Sequence, residues 1–268
     1  MKILIASPVY QKKEILSSFL LSLTQLNQEG LSVSYLFIDD NTDVISSNLL
    51  SSFVSLHGGT ILPAPKKIAR DDDPNTSNRL KWNNELIWHV AKMRNTIMDY
   101  AHNHNYDYLF MTDTDLILQP QTLQYLIAPQ KDLISEVFWT DWCESDFFSM
   151  ADVQNRFPQV WDNGQFEFAD PSLNDEDYRR EGLKWLKRLL QPGVYSVGGL
   201  GACTLFSSKV LHSDLRYFEV PDVNLRGEDR HFSVLAQRKG FTLWADTHAE
   251  PLHVFSTSEI PKIHPFCT

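Results

Sequence analysis

From its first residues the chain alternates short apolar runs with longer stretches in which apolar positions recur every three or four residues. Residues 2–6 are an apolar run closed by Ser7-Pro8-Val9-Tyr10, and Ile15, Leu16, Phe19, Leu20, Leu23 and Leu26 follow at helical spacing. This predicts a strand, a turn and a helix from Lys13 that Gly30 ends. The pattern repeats at once: an apolar run over 33–38, the polar Asp39-Asp-Asn-Thr-Asp43, and a helical pattern through Leu49, Leu50, Phe53 and Leu56. Two such units in a row imply a doubly wound, mostly parallel sheet with helices on its faces. Gly58-Gly59 opens a short third strand, residues 63–78 are a polar loop, and Leu86, Ile87, Val90, Met93, Ile97, Met98 and Ala101 mark a long amphipathic helix within 80–104.

The next apolar run carries the chemistry. Tyr106-Asp-Tyr-Leu-Phe-Met-Thr-Asp-Thr-Asp-Leu-Ile-Leu118 reads as a strand buried on both faces that ends in two acidic residues one position apart. Carboxylates at the carboxyl edge of a buried strand are destabilising unless solvated, paired or bound to a cation. In open α/β sheets that edge is also where ligands bind. Asp113 and Asp115 therefore point to a divalent cation beside a phosphorylated ligand. Asp-x-Asp also occurs at Asp71/Asp73 and Asp175/Asp177, but in polar segments that read as solvated turns. Context separates the three; the triplet itself does not.

Beyond this strand, Pro120 and residues 123–127 begin a helix and 133–140 form a further strand. Residues 141–192 change character, with Trp142, Trp161, Phe166, Phe168, Tyr178 and Trp185 and one amphipathic helix over 175–190. The aromatics suit either stacking on a sugar or a small satellite core. Residues 195–206 alternate small and apolar positions, as in a strand that another group approaches closely. In Arg226-Gly-Glu-Asp-Arg-His-Phe232, Glu228 and Asp229 fall in the first turn of a helix; favourable interaction with the helix dipole accounts for one acid but poorly for both. A last strand over 241–245 leads to a loop holding His248 and His253. An imidazole there either completes a cation's coordination shell or is an ordinary surface histidine.

Other candidates sit at earlier strand ends. Pro8 and Tyr10 are placed to flank a flat base, and Asp39 or Asp40 to accept from a base N–H or a ribose hydroxyl; helix capping is the alternative for both acids. Arg94, in the long helix, either neutralises phosphate or is solvated. No Gly-x-Gly-x-x-Gly follows the first two strands, so a dinucleotide fingerprint is missing.

Composition bounds the rest. At 268 residues, 43% of them hydrophobic, the chain can bury a large core. A net charge of −10, from 34 acidic and 24 basic residues, argues against a nucleic-acid groove or a cationic membrane face while allowing a local basic pocket. Cys143, Cys203 and Cys267 form no C-x-x-C pair and read as thiols in a reducing compartment. No apolar run has membrane-span length and no signal segment opens the chain. A cytoplasmic protein is expected, with peripheral membrane attachment left open.

The ordered set, Pro-Val-Tyr after the first strand, Asp-Asp-Asn-Thr-Asp after the second, Thr-Asp-Thr-Asp after a central strand, then Gly-Glu-Asp and a downstream histidine, resembles the GT-A fold glycosyltransferases, most closely glycosyltransferase family 2. The resemblance spans residues 3–253. It implies a single α/β domain of GT-A (Rossmann-like) type, with a nucleotide-binding half over 1–118 and an acceptor-binding half over 119–268. The aromatic segment over about 141–192 is an insertion with no counterpart in the resemblance. It also implies transfer of a sugar from a nucleoside-diphosphate sugar, UDP by family habit with GDP open, to a carbohydrate or glycoconjugate hydroxyl. Pro8, Tyr10, Asp39, Arg94 and Asp113 match nucleotide-binding positions. Asp115, with Asp113 and a histidine, matches the motif that holds Mn²⁺ or Mg²⁺, and His253 fits that histidine better than His248. Asp229, beside Glu228, matches the catalytic base of an inverting enzyme. A retaining transferase, a sugar nucleotidyltransferase and a silent nucleotide-sugar-binding module are the alternatives. The Gln-x-x-Arg-Trp type acceptor motif is not visible, so polymerising activity is not expected.

Overall fold

The computed structural model describes residues 1–66, 68, 83–141, 156–162, 175–221, 223 and 227–266. It begins β1 (Lys2–Val9), α1 (Lys13–Gln25), β2 (Ser32–Asp39), α2 (Val44–His57), β3 (Thr60–Pro63), α3 (Asn84–Asn103), β4 (Tyr108–Thr112) and β5 (Leu116–Ile117). It continues α4 (Thr122–Ile127), β6 (Leu133–Glu136), β7 (Trp139–Asp141), β8 (Arg156–Pro158), α5 (Asp175–Leu189), β9 (Val194–Val197) and β10 (Cys203–Ser207). The last elements are α6 (Ser208–Leu211), α7 (Glu228–Arg238), β11 (Leu243–Asp246), β12 (Leu252–His253) and α8 (Ile263–Phe266).

Eight strands form one mostly parallel sheet in the order β3-β2-β1-β4-β10-β6-β11-β9. The chain lays β1, β2 and β3 side by side, then crosses back to place β4 on the other flank of β1. That reversal is a topological switch point, and it opens a crevice at the carboxyl ends of β1, β2 and β4. β10 runs antiparallel between β4 and β6, so its first residue, Cys203, pairs with Thr112 at the end of β4.

The pleat explains why these strands read as unbroken apolar runs. In β1, Leu4 and Ala6 enter one core cluster while Ile3, Ile5 and Val9 enter the other; in β4, Leu109 and Met111 face one side and Phe110 the other. Helix α3 supplies much of the first cluster and α1 much of the second. Each large side chain buried in this way contributes roughly 1.5–3 kcal/mol. The central strands are thereby fixed in register, and so are the residues at their ends.

Several expected boundaries shift. Helix α1 ends at Gln25 rather than at Gly30, which lies in the turn into β2 with φ 73°. The run over 133–140 divides, because after β6 the chain leaves the main sheet and β7 pairs with β8 in a sheet of two. Residues 195–206 likewise divide between β9, beside β11 at the sheet edge, and β10 in the middle. The expected close approach is at Gly201, where a Cβ would collide with the carbonyl oxygen of Gln159. Asp175 and Asp177 belong to helix α5 rather than to a turn, since the helix begins at Asp175. Trp185 packs on the core, whereas Asp71, Asp73, Trp142, Phe166, Phe168 and the Tyr178 side chain lie outside the described residues. Among the described residues no helix is long and apolar enough to cross a membrane.

Candidate active site at the sheet switch point

The ends of β1 and β2 are tied together by one side chain. Asn41 Oδ1 accepts from the Gln11 N–H at 2.8 Å, and Asn41 donates to Asp39 Oδ1 from its Nδ2 at 2.8 Å and its backbone N–H at 3.0 Å. Asp39 is thus held in one orientation at the end of β2, and its Oδ2 takes no hydrogen bond among the described residues. The helix-capping role falls to Asp43, which accepts from the N–H groups of Ile45 and Ser46. Those hydrogen bonds, the Ile45 bond foremost, hold the Asp43 carboxyl below the usual range. Asp40 turns inward, with Oδ2 3.0 Å from Nε2 of buried His89. The two adjacent acids therefore have separate jobs, one structural and one facing the crevice.

Arg94 lies under the crevice floor. Helix α3 presents it inward at 2% exposure, and three carboxylates surround it. Asp113 Oδ1 is 3.0 Å from NH2, Glu228 Oε1 is 3.4 Å from Nε, and Asp229 Oδ1 is 3.8 Å from NH1. Tyr217 stacks nearby, its ring centroid 5.6 Å from the guanidinium carbon, and Asn95 pins the Tyr217 backbone through both its N–H and its carbonyl. One guanidinium thus joins the end of β4 to the first turn of α7. The N-cap of α7, Gly227, makes no side-chain capping bond, and both acids of that turn face Arg94 instead.

Three acids against one buried cation leave an excess of negative charge. Burial drives the Asp113 carboxyl upward, Arg94 opposes it, and Asp115 and Asp229 push it further. Asp113 still keeps 37% of its side chain exposed, so solvent softens these effects. Glu228 is raised by burial and then by Asp229, with Arg94 opposing; Asp229 is raised by burial, again against Arg94. For Arg94, burial works against the charge, but the acids, Asp229 foremost, outweigh it and hold the guanidinium charged. Such a site favours taking up a cation or a proton.

Asp115 has a partner from the far end of the chain. β12 pairs with β5, setting His253 opposite Leu116, and Val254 N–H donates to the Asp115 carbonyl at 2.7 Å. His253 Nε2 comes 3.3 Å from Asp115 Oδ2, and its Nδ1 is 3.1 Å from Thr140 Oγ1. Burial lowers the affinity of His253 for a proton, but Asp115, with Glu259 and Asp113, more than compensates and the net shift is upward. His248 is engaged elsewhere, 3.0 Å from Asp246 Oδ1 and stacked on Tyr125.

The Asp115 and His253 ligand atoms fit part of a divalent-cation shell. Neighbouring ligands of an octahedral ion bound at 2.0–2.1 Å sit about 3 Å apart, close to the 3.3 Å observed between these atoms. Thr140 is the outer-shell partner that a ligating imidazole ordinarily has. Among the described residues no three His, Cys, Asp or Glu side chains close on one point, so a cation here would need oxygens from its ligand and from water.

The sequence did not point to Asn41, His89, Thr140 or Tyr217. Asn41 carried a faint signal, being an Asx residue just after a strand; the others act only through tertiary contacts.

No protein-family model matches the chain, and no curated protein sequence does. Solved structures do. The structure of GalNAc-T7 with UDP, GalNAc and Mn²⁺ superposes with a TM-score of 0.57 at 11% identity, covering 94% of this chain and 43% of that one. Staphylococcus aureus TarS matches with a TM-score of 0.52 at 11% identity, covering 99% of this chain and 39% of that one. TarS 1–349 in complex with UDP-GlcNAc gives 0.50 at 12% identity, over 99% of this chain and 65% of that one. Both proteins are GT-A glycosyltransferases. The fold is the GT-A fold. The chain spans between 39% and 65% of these structures' length, so the likeness concerns this fold unit alone. Within that fold, Asp113 and Asp115 follow the carboxyl end of β4, Asp229 reaches Asp113 through Arg94, and His253 reaches Asp115.

Proposed function

We propose that the protein is a nucleotide-sugar-dependent glycosyltransferase that inverts the transferred sugar, with Asp229 as the general base. One observation carries the reading: Arg94 gathers Asp113, from the end of β4, and Asp229, from α7, on one guanidinium, beside the Asp115–His253 pair. A donor ligand and an acceptor base are thereby set next to each other on the edge of a GT-A sheet. The UDP and Mn²⁺ bound to GalNAc-T7 and the UDP-GlcNAc bound to TarS support a UDP-sugar donor and a divalent cation.

In this account the base lies beside Pro8 and Tyr10 and donates an N–H to the Asp39 carboxylate, while Asp113 holds the ribose side. The half over 1–118 thus handles the donor and that over 119–268 the acceptor. Asp115 and His253, with Asp113 behind them, would hold Mn²⁺ or Mg²⁺. When bound, the cation neutralises the charge that develops on the departing diphosphate. Arg94, its charge committed to three acids, positions Asp113 and Asp229. Asp229 takes the proton of the acceptor hydroxyl as that oxygen bonds to the anomeric carbon and the bond to the diphosphate breaks, so the sugar leaves with inverted configuration. Glu228, at 5% exposure, is the second acid of the α7 turn held on Arg94.

Asp229→Asn tests the assignment. Transfer should fall by roughly 10²–10⁴-fold, while Mn²⁺-dependent UDP affinity stays unchanged. Because burial raises the carboxyl, the base is lost on acidification at a higher pH than for a free aspartate. The wild-type rate should therefore climb with pH through that raised value. Undiminished transfer by the variant would remove Asp229 from the reaction.

A further inference from the structure

Arg94 and Arg230 differ sharply in company. Arg94 meets three carboxylates. Arg230, one residue after Asp229, pairs with no carboxylate among the described residues. Its guanidinium carbon instead sits 4.9 Å from the centroid of the Trp161 ring. Both side chains are only half exposed. Burial lowers the proton affinity of Arg230, and no acid among the described residues opposes that shift. A half-buried cation without a counter-ion is costly, and an aromatic face repays only part of the cost.

The place of this pair is well fixed. Trp161 bonds through its backbone to Gly198 and Gly199, and the same stretch leads to Ala202, whose carbonyl accepts from Asp113 N–H at 3.0 Å. Leu200 N–H donates to Ser233 Oγ, and Ser233 Oγ donates to the Asp229 carbonyl at 2.8 Å, so α7 is locked to that stretch. Successive helical residues are turned by about 100°. Asp229 faces Arg94 and Arg230 faces Trp161, so the two residues present different flanks of α7, with the cation next to the base in sequence. The site is otherwise strongly acidic, and an anionic substrate entering it would be repelled without such a cation.

We infer that Arg230, stacked on Trp161, is an anion-recognition subsite for the acceptor, and that the acceptor carries a phosphate or carboxylate near the hydroxyl that is glycosylated. The inference rests on Asp229 marking the acceptor side. A planar guanidinium fixed on an aromatic face offers its N–H fork to an oxyanion with little further ordering.

Calorimetry on the full chain, with and without UDP and Mn²⁺, tests it using glycerol 3-phosphate and glucuronate as anionic probes and glycerol and glucose as neutral ones. The wild type should bind at least one anionic probe saturably and neither neutral one comparably, and the preferred anion tells phosphate from carboxylate. Arg230→Gln should weaken that binding about tenfold or more, Arg230→Lys should restore part of it, and UDP affinity should not change in either variant. Melting temperatures equal to the wild type show that the variants fold. Absent or equal binding of charged and neutral probes by the wild type overturns the inference. So does a loss of UDP affinity in Arg230→Gln, which would assign the arginine to the donor. Failure of the wild type to bind UDP contradicts the transferase reading instead, and the arm without nucleotide still reads Arg230 on its own.

Discussion

Glu136 ends strand β6 with 0% exposure, and among the described residues neither carboxyl oxygen makes a hydrogen bond of ordinary geometry. Burial first, then Asp246 and Glu250, raise it well above its ordinary 4.5, and the backbone N–H of Ala249 offsets only part. Burial therefore favours the protonated carboxyl in the fold. In the unfolded chain it ionises above about pH 4.5, so folding takes up a proton from there upward and stability falls by roughly 1.4 kcal/mol per pH unit until the folded value is reached. Buried Asp246, raised mainly by burial, acts in the same direction. Glu136→Gln should flatten the dependence: urea unfolding followed upward from about pH 5 should lose slope relative to the wild type. An unaltered slope would show that Glu136 is already ionised in the fold. Nothing in the sequence marked this residue. In Leu-Ile-Ser-Glu a strand's alternation allows a solvent-facing glutamate, and only the packing of β11 alongside shows that it is covered.

Element by element, what the sequence made legible follows from physical reach. Apolar runs and helical spacing are local, so β1, α1, β2, α2 and β4 were readable, and the strand context separated Asp113-Thr-Asp115 from the other Asp-x-Asp triplets. Strand partners are not local: an apolar run does not say that β7 will leave the sheet or that β9 and β10 will have different neighbours. The same limit applied to the acids after β2. Asp43 caps α2 and Asp40 pairs with His89, and the second fact needs α3 in place. It also applied to the two histidines near the carboxyl end, since only the β12–β5 pairing brings His253 to Asp115. The linker between β9 and β10 offers a test at this scale. Gln159, the residue Gly201 approaches, is itself pinned by a 2.8 Å bond from its N–H to the Phe138 carbonyl, so it has little room to yield. Gly201→Ala should therefore destabilise the protein by roughly 1–3 kcal/mol, read from the denaturant midpoint. An unchanged midpoint would mean that the linker relaxes freely.

For the molecule as a whole, the decisive feature is where the strand order reverses. β1 lies between β2 and β4, their carboxyl ends share one edge, and β10 runs beside them the other way to bring the Gly198–Ala202 stretch and α7 to the same place. The net charge of −10 argues against a nucleic-acid groove or a cationic membrane face, and the fold concentrates acids about the Arg94 guanidinium and beside His253, where a cation-bound diphosphate would be held. The central claim is that this edge binds a nucleoside diphosphate through a divalent cation, and titration of UDP into the full chain with Mn²⁺ or with a chelator tests it most directly. The account predicts saturable binding that requires Mn²⁺ and weakens by about tenfold or more in Asp115→Ala and in His253→Ala. Binding indifferent to both the cation and Asp115, or no binding at all, would contradict it.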